Sequence, residues 1–345
     1  MIRRTFLAST AAAGLGAATT RRAAAQEVTL RLHQLLSLQA IIPGKALVPW
    51  AHKVETESGG RIKVEHYPSM QLGGAPPSLY DQARDGVVDL VWTVLGYNPG
   101  RFPGAEVFEL PFMVTSAEAT SKAFHAFYER YLQDEFADIK PIALHVHGPG
   151  TLHMKGPPVA RLEDLRGRKV RGPTRIITTL LERLGAVPVG MPVPAVPEAL
   201  SKGVIDGTVI PWEVTIPLGI LDLVDSHTQV SGDHGLYTAT LGFVMNRGAY
   251  EGLPDDLRAV IDANSGVETA GLFGRALDRG DAAAEQAARE TGKPVITIDE
   301  AETRRWKDAS LPVIDDWIAE MSGRGIDGKA HLDAARTLID QYTAS

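Results

Sequence analysis

Cysteine is absent from all 345 positions of the chain. A protein without a thiol forms no disulfide bond and offers no thiolate metal ligand and no cysteine nucleophile. One absence therefore excludes three large classes of crosslink and site, and any metal or catalytic centre would have to be built from oxygen and nitrogen groups.

An excess of positive charge and a long apolar run are also absent. Asp and Glu number 42 against 35 Lys and Arg, which gives a formal net charge of −7. An acidic chain has no general attraction for nucleic acid or anionic lipid, so both are poor partners. No segment after residue 25 has the roughly 20 apolar residues that a transmembrane helix needs. We expect neither nucleic-acid binding nor insertion into a membrane.

Catalytic motifs are missing as well. The sequence contains no G-x-S-x-G, no H-E-x-x-H, no Walker loop and no G-x-G-x-x-G behind a predicted strand. The turn GGAPPS, residues 73–78, has prolines where a phosphate-binding loop needs free N–H groups. We expect a protein that is not an enzyme. A periplasmic hydrolase is the rival interpretation, which turnover of a bound acid would favour.

The first 25 residues have the composition of a secretory signal peptide. The basic pair Arg3-Arg4 precedes a weakly apolar Ala/Gly/Leu run, and a series of small residues ends at Ala25. The pair also fits the twin-arginine export pattern, and Arg21-Arg22 disfavours the ordinary secretory route. Cleavage after Ala25 would remove four arginines and no acidic residue. We expect a periplasmic protein; the alternative is a cytoplasmic protein with a frayed start.

Two segments resemble each other: SLYDQARDGVVDLVW, residues 78–92, and PEALSKGVIDGTVIPW, residues 197–212. Each has the pattern of an amphipathic helix, then Gly-Val-(Val/Ile)-Asp, then a strand that leads to a tryptophan. Gly86 and Gly203 fit the left-handed position that ends a helix. A strand, a helix and a second strand are predicted before each segment, so each half has the order strand–helix–strand–helix–strand.

This order is typical of a mostly parallel α/β sheet, and a chain of this length usually forms more than one core. The sequence therefore predicts an α/β protein of two lobes. We assign 27–147 with about 246–285 to lobe I, and 148–245 with about 286–345 to lobe II. No low-complexity linker separates the halves, so we expect strands to cross between the lobes.

The stretch GRKVRGPT, residues 167–174, places Arg171 at the end of a short predicted strand, just before a Gly-Pro turn into a helix. Ligands of parallel α/β sheets bind outside the carboxyl ends of the strands, so we expect Arg171 to face the cleft between the lobes. A guanidinium matches a carboxylate through two parallel charge-assisted hydrogen bonds. The alternative is a structural ion pair, with Glu163 or Asp164 as the partner.

Further cleft candidates lie near the equivalent strand ends. Trp92, Tyr97 and Trp212 are interpreted as apolar walls, with burial in a core as the alternative. Glu213 could accept a ligand hydroxyl or hold a cation, although a solvated glutamate is the simpler interpretation. The loop after the first strand supplies polar candidates, whose alternative is an ordinary solvated loop. These are His33, Gln34, Ser37 and Gln39.

His145 and His147 form an H-x-H pair on a predicted strand. A spacing of two places both imidazoles on one face, as a metal site could use. A third ligand would have to come from His153, His33 or a carboxylate, and no spacing requires one. We predict no metal and no other cofactor; loss of ligand affinity in EDTA would support the metal-dependent alternative.

Six segments are similar, in order and over nearly the whole mature chain, to one family. They are YPSMQLGG, DGVVDLVW, FPGAEVFELPFM, LEDLRGRKVRGPT, LGAVPVGMPVPAVPEALSKGVIDGTVIPWE and FVMNRGAYEGLP. They resemble the solute receptors of TRAP (tripartite ATP-independent periplasmic) transporters, of the C4-dicarboxylate-receptor-like, DctP-like kind. The resemblance implies a periplasmic-binding-protein fold of two α/β lobes, joined by crossing strands and a long spanning helix, that closes on one organic acid.

The resemblance also implies partners and the role of one residue. Such a receptor delivers its ligand to a membrane complex of a small and a large subunit, driven by an ion gradient and not by ATP. The arginine of the family's K-x-R-x-P stretch, which pairs with the ligand carboxylate, corresponds to Arg171. We expect a monomer. The alternatives are an ABC-importer receptor and the ligand-binding module of a sensor, which the neighbouring genes would distinguish.

Two positions depart from the sialic-acid receptors of that family. The place of their asparagine falls at Ile210, and that of their second arginine falls near Pro149-Gly150. A sugar acid or a second charged group on the ligand is therefore disfavoured. We expect an apolar or aromatic monocarboxylate, with a hydroxy or keto acid left open. The candidate walls are Trp92, Tyr97, Val193, Ile210 and Trp212.

Overall fold

The computed structural model describes residues 28–344, so the predicted signal peptide, residues 1–25, lies outside the described residues. Their strands, in chain order, are β1 (Val28–Gln34), β2 (Ile62–Tyr67), β3 (Leu90–Val94), β4 (Ile139–Val146), β5 (Thr151–Met154), β6 (Lys169–Gly172), β7 (Val187–Gly190), β8 (Gly207–Ile210), β9 (Ser226–Gln229), β10 (Thr240–Asn246) and β11 (Val295–Thr297).

The α-helices of the same residues are α1 (Val48–Glu57), α2 (Leu79–Arg84), α3 (Ala117–Phe127), α4 (Arg175–Arg183), α5 (Val196–Ser201), α6 (Ile220–Leu223), α7 (Arg247–Glu251), α8 (Asp255–Ala263), α9 (Val267–Glu290), α10 (Glu300–Gly323) and α11 (Gly328–Thr343). Short 3₁₀ and π-helical turns flank several of them. The mixture of helices and sheets confirms the predicted α/β class.

The strands of residues 28–344 form two sheets. The first has the order β2-β1-β3-β10-β4, with β10 antiparallel to both of its neighbours. The second has the order β11-β9-β5-β8-β6-β7, with β5 antiparallel to β8 and β9. All five residues of β3 are buried, which is why this strand has a continuous apolar pattern instead of an alternating one.

The predicted repeat is confirmed by the topology. The units β1-α1-β2-α2-β3 and β6-α4-β7-α5-β8 give the equivalent parallel orders β2-β1-β3 and β7-β6-β8. Gly86 and Gly203 follow equivalent helices with φ angles of 74° and 69°. These left-handed values carry no steric penalty for glycine, which explains why both segments have a glycine at the end of the helix.

Two connections run side by side between the sheets. Residues 147–150 lead from β4 to β5, and residues 230–239 lead back from β9 to β10. Gly150 N donates to Tyr237 O (2.9 Å), and Thr238 Oγ1 donates to His147 O (2.6 Å). The chain therefore crosses between the sheets as expected, but through two connections outside the strands, which are bonded to each other.

The 24-residue helix α9 spans both sheets. It packs on α3 and β4 at the first sheet and on the turn Trp212–Val214 at the second. Two glycines permit this close packing. A Cβ atom at Gly274 would lie 2.4 Å from Ala117 O, and one at Gly280 would lie 3.0 Å from Glu213 Cβ. The long spanning helix is confirmed.

The lobe boundaries stay a prediction. A boundary near residue 246 would leave most of β10 in lobe II, but β10 pairs with β3 and β4 of the first sheet. Sheet membership therefore favours a boundary at Thr240, where β10 begins.

Candidate ligand-binding site

A cavity lies where the carboxyl ends of strands from both sheets meet, the position at which such sheets bind ligands. The cavity volume is about 60 Å³, which is room for a small molecule only. The first-sheet side contributes Leu35, Leu36, Trp92, Val94 and Tyr97. The second-sheet side contributes Arg171, Pro173, Val193, Ile210, Pro211 and Glu213, and the crossing connections contribute His147, Tyr237 and Ala239.

Arg171 lies in the wall of this cavity and is only 2% exposed. Its Nε donates to Met191 O (2.8 Å), and its Nη1 donates to Val209 O (3.3 Å). Nη2 is fully enclosed and has no hydrogen-bond partner within residues 28–344. The two carbonyl groups hold the plane of the guanidinium and leave donors free for an anion.

No acidic side chain in the described part of the chain forms an ion pair with Arg171. Glu163 binds Arg305 instead. Asp164 accepts hydrogen bonds from the backbone N–H groups of Ala160 and Arg161, each at 3.0 Å. The alternative of a structural ion pair with either acid is therefore wrong. An enclosed cation without a counter-ion is costly. Because the guanidinium of Arg171 lies in the wall of a cavity, an anionic ligand is the partner that this position favours.

Tyr237 brings a second open donor to the cavity. Its hydroxyl is enclosed and has no hydrogen-bond partner among the described residues. Burial raises the pKa of this hydroxyl, and the charge of Arg171 works against that rise, which indicates that the two groups are neighbours. The sequence did not single out Tyr237, because it lies in the connection before β10 and follows neither a parallel strand nor a repeated helix.

Two predicted aromatic walls do line the cavity. Trp92 donates from Nε1 to His145 Nε2 (2.8 Å), which fixes the plane of the indole. The Tyr97 hydroxyl accepts from Val193 N (2.8 Å) and so joins the loop after β3 to the loop after β7. Val193 and Ile210, the predicted apolar walls, line the cavity as well.

Trp212 is not part of this lining. Its ring packs beneath α9 on Ala284 and Ala288, and its Nε1 donates to Gln229 Oε1 (3.2 Å). The side chain therefore points to the other side of the turn from Glu213, which does line the cavity. The alternative of a buried tryptophan describes Trp212 correctly.

The polar candidates at the end of β1 and in the loop after it also differ from expectation. His33 binds Gln82 Oε1 through Nδ1 (2.7 Å) and accepts from Leu72 N (3.3 Å), so it holds a neighbouring loop. Gln39 is exposed. The apolar side chains of Leu35 and Leu36 line the cavity in place of these polar groups. Local hydrogen bonds satisfy the polar groups of His33, and the side chains that face the cavity are the apolar ones of Leu35 and Leu36.

Both nitrogens of each histidine in the H-x-H pair are occupied. His147 Nε2 accepts from Ala239 N (3.0 Å), and its Nδ1 donates to Gly148 O (2.6 Å). His145 Nε2 accepts from Trp92, and its Nδ1 contacts Val146 O (3.4 Å). Burial lowers the pKa of His145 to about 3 and that of His147 to about 4, so both rings are neutral. Residues 28–344 hold no group of three or more His, Asp or Glu placed to bind a metal ion.

Helices that could carry the chain through a bilayer are also missing from residues 28–344, since none is both long and apolar enough.

The fold and the cavity define a two-lobed solute receptor. Residues 39–320 match the bacterial extracellular solute-binding proteins, family 7, or DctP family, and the chain belongs to this family. The predicted identity as a DctP-like solute receptor of the TRAP-transporter type is thereby confirmed.

Two crystal structures of TRAP solute-binding proteins match nearly the entire described fold, each with a TM-score of 0.90 and 47% identity. One, from Rhodoferax ferrireducens T118, holds copurified benzoate; the match covers 92% of this chain and 98% of that one. The other, from an unidentified marine microbe, is specific for aromatic acid ligands and holds 3-hydroxybenzoate; the match covers 92% and 99%. The C4-dicarboxylate-binding periplasmic protein DctP of Rhodobacter capsulatus is 27% identical over 286 residues, 81% of this chain and 83% of that protein.

Proposed function

We propose that this receptor binds one small aromatic monocarboxylate, with the carboxylate group on Arg171 and Tyr237. One observation carries the proposal. Arg171 Nη2 and the Tyr237 hydroxyl are both enclosed without a partner in residues 28–344, and both side chains line the same cavity. A carboxylate offers each of them an acceptor, and its charge balances the guanidinium.

The rest of the wall suits a flat apolar body. Trp92 provides an aromatic side chain, and Leu35, Leu36, Val193 and Ile210 provide aliphatic ones. Benzene rings bury well against such surfaces, and few polar groups are needed to orient them. The ligands in the two relatives at 47% identity, benzoate and 3-hydroxybenzoate, have the same combination of one carboxylate and one ring.

The proposal extends to the setting of the receptor. Residues 1–25 would direct export to the periplasm by the twin-arginine route. The protein would act there as a monomer without catalysis or cofactor. Binding would shift the lobes toward the closed arrangement by the difference between the ligand's affinities for the closed and open arrangements. The closed form would then dock on the small and large membrane subunits of a TRAP transporter.

The decisive experiment is calorimetric titration of benzoate into the wild type and into Arg171→Ala. Loss of two charge-assisted hydrogen bonds should weaken binding about 100-fold or more. Arg171→Lys keeps the charge without the planar fork, so its benzoate affinity should lie between those of the wild type and Arg171→Ala. Arg183→Ala is the matched control, because Arg183 forms only an exposed pair with Asp316. Equal affinity in Arg171→Ala and the wild type, with both proteins folded by thermal melting, would refute the assignment.

A further inference from the structure

A third open polar group lines the cavity. The Glu213 side chain is only 8% exposed, and no hydrogen bond or ion pair engages its carboxyl group within residues 28–344. The bond that holds this residue is made by its backbone, since Glu213 N donates to Asp281 Oδ1 (2.7 Å). The carboxyl group is therefore positioned but unused.

The surroundings of this carboxyl group favour its protonated form. Burial raises the pKa of Glu213 well above its ordinary value, and the neighbouring carboxyl of Asp281 raises it further. A protonated carboxyl has one O–H donor and one carbonyl acceptor, and it does not repel an anionic ligand. Glu213 can thus face a carboxylate-bearing molecule and still offer a hydrogen bond.

Glu213 and Arg171 form no ion pair with each other among residues 28–344. The guanidinium of Arg171 is held by Met191 O and Val209 O, whereas Glu213 follows the end of β8 at Ile210. Burial is the largest cause of the pKa shifts of Tyr97, His147, Tyr237 and Glu213, and the charge of Arg171 acts in addition on the first three.

Two other polar side chains of the wall have partners. His147 uses both ring nitrogens, and the Tyr97 hydroxyl accepts from Val193 N and keeps its own O–H. Arg171 and Tyr237 serve the carboxylate, so Glu213 is left for a second polar group of the ligand. We infer that Glu213 recognises a hydroxyl group on the aromatic ring, so that the receptor prefers hydroxylated aromatic acids. This inference rests on the proposed function.

The test compares benzoate, 3-hydroxybenzoate and 3-methylbenzoate by calorimetry on the full mature chain. The methyl compound has the size of the hydroxyl compound but makes no hydrogen bond. We expect the wild type to bind 3-hydroxybenzoate roughly 3- to 10-fold more tightly than either of the others. In Glu213→Leu this ratio should fall to about one, and in Glu213→Gln, which keeps a donor and an acceptor, most of it should remain.

Glu268→Leu is the control, because Glu268 lies on the exposed face of α9 with 81% of its side chain accessible. Equal affinity of the wild type for 3-methylbenzoate and 3-hydroxybenzoate would overturn the inference without any variant. A preference for 3-hydroxybenzoate that survives in Glu213→Leu would also overturn it. In both cases benzoate binding would persist, so the proposed function would stand. Failure of all three acids to bind the wild type would instead refute the proposed function and the inference with it.

Discussion

The ring of Tyr237 occupies the space that a side chain at Gly150 would need. A Cβ atom on Gly150 would lie 1.9 Å from Tyr237 Cε1 and 2.3 Å from Cζ, far inside contact distance. Since Gly150 N also donates to Tyr237 O, the two backbones are fixed beside each other. Tyr237 can therefore reach the cavity only because residue 150 has no side chain. The resemblance places the second arginine of the sialic-acid receptors near this position, where the Tyr237 ring leaves no room for a side chain at residue 150.

Gly150→Ala should displace Tyr237 and weaken ligand binding. Inserting a methyl group into a packed interior usually costs about 1–3 kcal/mol of unfolding free energy, because neighbours must shift. The shifted ring would carry its hydroxyl away from Arg171, so we expect benzoate affinity to fall at least as far as in Tyr237→Phe. Urea unfolding and calorimetry measure the two effects.

Gly323→Ala is the matched control for this change. A Cβ atom there meets no heavy atom within 4 Å, and Gly323 ends α10. Alanine should leave benzoate affinity unchanged and keep or slightly raise stability. If Gly150→Ala behaved in the same way as Gly323→Ala, the exclusion between residue 150 and Tyr237 would be wrong.

Tyr237→Phe should separate binding from stability. The hydroxyl is enclosed without a partner among residues 28–344, so its removal relieves a desolvation cost and should keep or raise the melting temperature. In the complex the same hydroxyl would donate to the carboxylate, so benzoate affinity should fall roughly 3- to 10-fold. Differential scanning calorimetry and titration give the two quantities.

Tyr80→Phe provides the opposite pattern as a control. The Tyr80 hydroxyl donates to Asp138 Oδ1 (2.8 Å), and Tyr80 is not part of the cavity wall. Its loss should reduce stability by about 1 kcal/mol and leave benzoate affinity unchanged. A lower melting temperature and an unaltered affinity in Tyr237→Phe would show that the Tyr237 hydroxyl does not bind the ligand.

Local patterns were sufficient for the fold and for the position of Arg171. The repeat with Gly86 and Gly203 indicated two equivalent parallel units, and a strand end in such a unit faces the ligand cleft. This reasoning needs only the order of elements along the chain. It located Arg171 and Trp92 at the cavity, whereas Trp212, the third residue to which it pointed, lies outside the lining.

The rest of the site depends on side-chain direction and on contacts between distant segments. Trp212 and Glu213 are adjacent, yet the first packs under α9 and the second lines the cavity, which the sequence pattern does not distinguish. Tyr237 shares the cavity with Arg171 because the connection from β9 to β10 passes beside Gly150. His33 is polar and follows the expected pattern, but a hydrogen bond to Gln82 turns it away. Each of these outcomes is set by tertiary packing, which local sequence does not encode.

Buried histidines and the buried carboxyl group of Asp281 make opposite contributions to the pH dependence of stability. Burial lowers the pKa of seven histidines, which the folded protein keeps neutral; they are His33, His66, His125, His145, His147, His153 and His227. The unfolded chain takes up these protons near pH 6.5, so the histidines contribute stability that is lost as the pH falls below that value.

Asp281 has the opposite sign. Burial raises its pKa to about 8, hydrogen bonds from the backbone N–H groups of Glu213 and Trp212 oppose that rise, and the charges of Asp278 and Glu285 add to it.

Asp281→Asn isolates the second effect. The folded wild type keeps the Asp281 proton up to about pH 8, whereas the unfolded chain releases it near its ordinary pKa, so this group lowers stability as the pH rises between those values. Asparagine does not titrate and retains an oxygen for the Glu213 N–H. The variant should therefore gain stability relative to the wild type, on the order of 4 kcal/mol from pH 5 to pH 8. Urea unfolding of both proteins at pH 5, 6, 7 and 8 gives the difference, and the histidine contribution cancels because both proteins contain it. A difference that stays constant over this range would mean that Asp281 is ionised in the folded protein at neutral pH.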